Sequence, residues 1–142
     1  MKNLILTICL IFATTFAVSQ RSGPSSRNYN PNAPVITFEK VIHDYGTMDY
    51  KSTTKNVCTF KFKNTGREPL ILSRPKSSCG CAIPSWPKQP IMPGQSGEIK
   101  VKFDTKRVGK IKKTVTIKSN ARNKSVVLKL KGSVKPRPKK KK

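Results

Sequence analysis

Acidic residues are scarce in this sequence: six Asp and Glu stand against 30 Lys and Arg, a formal net charge of +24 over 142 residues. The six acids are scattered, so the chain offers no carboxylate pair of the kind glycoside hydrolysis needs. Histidine occurs once, as His43, and its neighbour Asp44 points to the opposite face of an extended segment. A hydrolytic relay therefore has no support. No glycine-rich loop leads into a helix, which leaves nucleotide-binding fingerprints without a basis. A Cys-x-x-Cys pair at a helix N-terminus, the usual redox-enzyme arrangement, is missing too. No segment repeats with helical period, and 11 prolines disfavour long helices. The sequence reads as non-enzymatic, with no catalytic residue and no cofactor expected.

Long apolar runs are also missing, with one exception at the N-terminus. There, "MKNLILTICLIFATTFAVSQ" has a positive Lys2, an uncharged apolar stretch, and small Ala17 and Ser19 before Gln20. This is the pattern of a secretory signal peptide over residues 1–19. The apolar run falls short of the ~20 residues a spanning helix requires. Cys9 follows Ile8 and makes a poor lipoprotein acylation site. The chain is expected to be exported and not membrane-spanning, either periplasmic or outer-membrane-associated or extracellular. Residues 20–34 are rich in Ser, Asn, Pro, Gly and Arg and read as a flexible leader. Residues 35–134 form one domain. Residues 135–142, "KPRPKKKK", read as a disordered basic tail, because prolines block regular structure and like charges repel.

Alternation of period two organises the domain. In "NVCTFKFK", Cys58, Phe60 and Phe62 share a face; in "GEIKVKFD", Ile99, Val101 and Phe103 do. Val115 and Ile117 point inward from "IKKTVTIKS", and Val126, Leu128 and Leu130 from "SVVLKLKG". "VITFEKVIHDYG" and "LILS" add further strand-like runs, and turn signals such as "NTGREP", "PGQSG" and "SNARN" separate the elements. About seven short strands over about 100 residues predict an all-β fold, a single immunoglobulin-like antiparallel β-sandwich.

The alternation leaves Lys100, Lys102, Lys118, Lys129 and Lys131 on polar faces. If their strands adjoin, they form one positive sheet face; exposed lysines also discourage edge-to-edge pairing. With the tail residues Lys135, Arg137, Lys139, Lys140, Lys141 and Lys142, they make a cationic surface for polyanions. For an exported chain the expected partners are an envelope protein or an anionic glycan or lipid surface, with no specific nucleic acid.

Three arrangements are open to the cysteines. Cys79 and Cys81 can bridge across Gly80, whose freedom permits the turn that shortens their span. Cys58 can instead pair with either and tie strands together. The third is a soft-metal site on Cys79 and Cys81, with Cys58 and His43 as further ligands and Met48 or Met92 as weak thioethers. A metal-handling or thiol-redox protein is the alternative function these residues suggest. Trp86 has two roles open, stacking on a ligand or covering the end of the core.

"HDYGTM", "FKFKNTGREPLIL", the stretch 77–104 with Cys-Gly-Cys and Pro-Gly, "TVTIKSNA" and "LKLKGSV" occur in this order between Phe38 and Val134. Together they resemble a bacterial family catalogued as domain of unknown function fifteen-seventy-three, itself similar to major-sperm-protein and ASH-type domains. The resemblance implies an exported, non-enzymatic immunoglobulin-like sandwich without a defined ligand. Ala82 stands where that pattern usually has threonine, and Cys58 where it usually has no cysteine. The lysine tail lies outside the resemblance.

Overall fold

The computed structural model describes residues 30–137. The signal peptide read over residues 1–19, most of the leader, and Lys139 to Lys142 of the tail lie outside the described residues.

Eight strands follow in chain order: β1 (Ile36–Phe38), β2 (Ile42–Met48), β3 (Val57–Asn64), β4 (Lys76–Ser77), β5 (Ala82–Ser85), β6 (Ser96–Phe103), β7 (Gly109–Lys118) and β8 (Ser125–Val134). They form two four-stranded sheets, β1-β3-β6-β5 and β2-β8-β7-β4. The all-β sandwich expected from alternation is what the chain forms, with eight strands where about seven were expected. Among the described residues, no helix is long and apolar enough to cross a membrane.

The inner faces are those the alternation marks. Cys58, Phe60 and Phe62 of β3 meet Ile99, Val101 and Phe103 of β6 in one sheet; Ile111, Val115, Ile117, Leu128 and Leu130 come from the other, and all are buried. Burial at roughly 25 cal/mol per Å² of apolar surface is the main stabilising term of such a core.

Three local readings change. "VITFEKVIHDYG" is two strands in different sheets, β1 beside β3 and β2 beside β8. Having switched sheets, β2 runs parallel to β8, while the other ladders are antiparallel. "LILS" forms no strand: Leu70 bridges to Ile91, ahead of the first sheet's β6, and Leu72 to Ser119, just past the second sheet's β7. That segment crosses between the sheets and buries both leucines in the core.

The end of the expected flexible leader is anchored. Arg67 N–H donates to the Asn32 carbonyl at 3.2 Å and Arg122 N–H to the Pro34 carbonyl at 2.8 Å. The Arg122 guanidinium donates to the Pro31 carbonyl at 2.9 Å.

Candidate functional site

Most of the motif residues prove to be framework. Asn64, at the end of β3, is fully buried. Its Nδ2 donates to the Glu68 and Ile91 carbonyls at 2.8 and 2.9 Å; its Oδ1 accepts from Gly66 N–H at 3.0 Å and Val35 N–H at 3.4 Å. One side chain thus gathers three loops. Gly66 is obligatory there, since a Cβ would sit 2.5 Å from the Ala33 carbonyl oxygen. Asn123 pairs with both main-chain groups of Ile36, and Asn120 bonds Ile71 N–H and the Pro69 carbonyl. These side chains satisfy main-chain groups where the ladders stop. In "HDYGTM", Gly46 adopts φ 64° at an irregularity in the β2 register, and the Asp44 carboxylate accepts its N–H at 2.7 Å.

The cysteines resolve into two environments. Cys79 and Cys81 form a disulfide with Cα atoms 5.2 Å apart. Cys58 is a buried free thiol, so neither the long-loop pairing nor a cluster of three cysteines is formed. The Tyr45 hydroxyl lies 3.1 Å from Cys58 Sγ and 3.1 Å from the Val101 carbonyl. Burial pushes the Cys58 thiol pKa up, which favours the unreactive protonated form. Burial also raises the Tyr45 phenol far above its ordinary value, helped by Cys58. His43 is half-buried, its ring edge-on to Tyr45 at 4.7 Å. Desolvation lowers its pKa, Lys40 adds to this, and Asp44 opposes it. His43 and Cys58 are thus tied to Tyr45 and not to the bridge. Among the described residues no group of three or more His, Cys, Asp or Glu is placed to hold a metal ion. While the bridge is closed, neither sulfur is the thiolate that soft metals bind.

The five lysines expected on one face fall on two. Lys100 and Lys102 lie on β6, in the first sheet; Lys118, Lys129 and Lys131 lie on β7 and β8, in the second. Pairing of distant strands decides this, and alternation cannot reveal it. The second sheet's outer face gains lysines that the alternation did not single out. Lys112 stands directly opposite Lys131, Lys110 opposite Ser133, and Lys76 of β4 opposite Thr116. All six lysines of this face are exposed, and Asp44 is the acid within it. A shallow groove of about 630 Å³ runs between Lys110, Lys112, Lys129 and Lys131. Among the described residues the ion pairs are Lys100–Glu98, in the first sheet, and Lys135–Asp49, just past the ends of β8 and β2; none of the six lysines takes part in either. Lys135 also donates its N–H to the Met48 carbonyl at 2.8 Å, so the first tail residue is held against β2. Arg137 is exposed at the end of the described chain.

A second hollow of about 610 Å³ opens where the chain crosses from β4 to β5, beside the disulfide. Arg74, Cys79, Ile83, Trp86 and Lys88 line it. Trp86 is half-buried against the core, and Lys88 Nζ lies 4.4 Å from its ring centroid. Both roles open to Trp86 are therefore partly taken up: it covers the core and keeps one part of its ring in a cleft.

The two packed sheets, with the consecutive strands β1 and β2 in different ones, define an immunoglobulin-like β-sandwich. A solved protein of unknown function from Porphyromonas gingivalis W83 superposes with a TM-score of 0.64 at 17% identity, over 77% of this chain and 51% of that one. The chain thus spans about half that protein's length. The ASH/PapD-like domain 7 of human CEP192 gives 0.60 at 10% identity, covering 82% and 96%. The Pseudomonas aeruginosa CupB2 chaperone gives 0.50 at 10%, covering 69% and 55%. At such identities the likeness is one of fold. No protein of curated function matches the chain. A family model described as "Protein of unknown function (DUF1573)" matches residues 36–134, and the chain belongs to that family.

Proposed function

We propose that this protein is an exported, non-enzymatic binding module of the cell envelope that engages anionic envelope components through the outer face of its second sheet. The observation that carries this reading is the opposition of Lys112 and Lys131, flanked by Lys110 and Lys129, with none of the four in an ion pair among the described residues. Like charges directly across a ladder destabilise it, and an anion lying between them relieves the repulsion. The groove is lined by Lys110, Lys112, Lys129 and Lys131; long cationic side chains of this kind lay their stems along apolar surface and keep the charge in water, which suits phosphate or carboxylate groups on a surface. Lys135 to Arg137 follow directly on β8, the strand that carries Lys129 and Lys131, and extend its basic charge. The Cys79–Cys81 bridge fits an oxidising compartment.

Titration of the mature protein with vesicles of anionic phospholipid, and with an acidic glycan, tests the reading. Affinity should fall steeply as salt rises from low to physiological strength, since exposed charges are screened over ~8–10 Å. Equal binding to zwitterionic vesicles, or binding indifferent to salt, would contradict it.

A second reading, thiol exchange, rests on the half-buried Cys79 lining an open hollow. Alkylation and mass measurement under a mild dithiol reductant decide it. A bridge that opens and recloses while the β-sheet spectrum persists would support it, and a bridge opened only by unfolding would remove it.

A further inference from the structure

The hollow beside the disulfide is bounded by two sheet edges, and that geometry points to a second ligand. β5 ends the first sheet and β4 ends the second. Asp104 N–H donates to the Cys81 carbonyl at 2.7 Å. By the two-residue rhythm of an antiparallel ladder, Ile83 and Ser85 also bond toward β6, and Ala82 and Pro84 turn their main-chain groups away from it; Ala82 is buried, so the Pro84 carbonyl is the group that reaches the open rim. On the facing edge, Ser78 N–H donates to the Thr114 carbonyl at 2.9 Å, so Ser77 turns its main-chain groups outward. Ser77, Ala82 and Pro84 all line the hollow. The rims thus offer hydrogen-bonding groups from both sides, and the Cys79–Cys81 bridge fixes the turn between them. Pro84 contributes a carbonyl without an N–H, which blunts the edge against indiscriminate pairing.

We infer that this cleft binds an extended, acidic peptide segment of a partner protein, at a site separate from the lysine face. The charge selects the occupant. Arg74 and Lys88 are the charged side chains lining the cleft, and both are cations. At a net charge of +24, the chain's own leader and lysine tail, and a second copy, are repelled. An acidic glycan matches the cations and has no main chain to match the rims. A peptide strand satisfies both, its amides bonding the rims and its side chains reaching Trp86, Ile83 and the two cations.

Trp86 is the chain's one tryptophan, so its fluorescence reports the site directly. The test titrates the full mature chain at physiological salt with a capped octapeptide alternating Glu and Val. Saturable change in Trp86 emission is expected. Arg74→Glu with Lys88→Glu should weaken it at least ~10-fold, and Lys112→Glu with Lys131→Glu on the far lysine face should not. N-methylation of alternate peptide nitrogens should weaken binding by a similar factor. The variants keep the β-sheet spectrum in the expected case; Lys88→Gln, a milder change, repeats the test should the double variant unfold. Equal response to the N-methylated peptide or to inorganic polyphosphate would reduce the cleft to an anion site and overturn the proposal, as would no emission change at millimolar peptide.

Discussion

Replacing Asn64 with alanine removes four hydrogen bonds at once, and the structure says which of them matter. The Ile91 carbonyl keeps a partner, because Leu70 N–H donates to it at 2.9 Å. The bond to Val35 N–H is long at 3.4 Å and contributes little. The Gly66 N–H and the Glu68 carbonyl lose the bonds of 3.0 and 2.8 Å that Asn64 gives them. Both bonds are part-buried, and a group left without a partner there costs roughly 1–3 kcal/mol, so losing the two should destabilise by about 2–6 kcal/mol. That is a large fraction of the roughly 5–15 kcal/mol that holds a domain folded. At ~4–8 °C per kcal/mol, the melting temperature should fall by at least about 8 °C. Urea denaturation of wild type and Asn64→Ala is the assay, with the midpoint shifting at an unchanged slope. A loss below about 1 kcal/mol would refute the assignment of Asn64 as the hub of three loops.

Other outcomes follow from the same contacts. Gly66→Ala should release residues 30–35 to proteolysis and cost about 1–3 kcal/mol, because its Cβ meets main-chain atoms of Ala33, Pro34 and Val35 and not a movable side chain. Limited proteolysis with an urea midpoint checks it. Reducing the Cys79–Cys81 bridge opens a three-residue loop and should cost only about 1.5 kcal/mol on the chain-entropy account; a loss above ~4 kcal/mol would mean the bridge holds far more than its own turn. Stability should plateau from about pH 6.5 to about pH 8.5, the ordinary His and Cys values. The folded-state pKa of His43 is lowered, so stability is lost as pH falls below its unfolded value; those of Cys58 and Tyr45 are raised, so it is lost as pH rises above theirs. Each group contributes at most about 1.4 kcal/mol per pH unit, and Tyr45→Phe should flatten the alkaline limb of a pH-stability curve.

The long strands were legible in the sequence because each carries its own alternation: β3, β6, β7 and β8 bury the residues that period two marks, Val126 only in part. The short strands were not. β4 has two residues and β5 four, one of them Pro84, too few to show a rhythm. The lysine face was half legible. Which side chains point out follows from alternation, but their division between sheets depends on which distant strands pair, and Lys112 meets Lys131 only through the β7–β8 register. The asparagines hid for the same reason: Asn123 completes the bonding of Ile36, 87 residues away. For the cysteines, spacing left three arrangements open. The turn at Gly80 brings Cys79 and Cys81 within bridging distance, and the β3 alternation turns Cys58 into the core. The cleft depends on two edges meeting at the crossover, and Trp86 among prolines was its one sequence signal.

The most direct test sets position against net charge. Lys112→Glu with Lys131→Glu alters the proposed face; Lys63→Glu with Lys102→Glu makes the same change in charge on the opposite sheet. Each lysine at an anionic membrane surface contributes about 1 kcal/mol, so the first pair should weaken binding to anionic vesicles by at least ~30-fold. The account predicts less than about threefold for the second pair; equal losses in the two variants would contradict it.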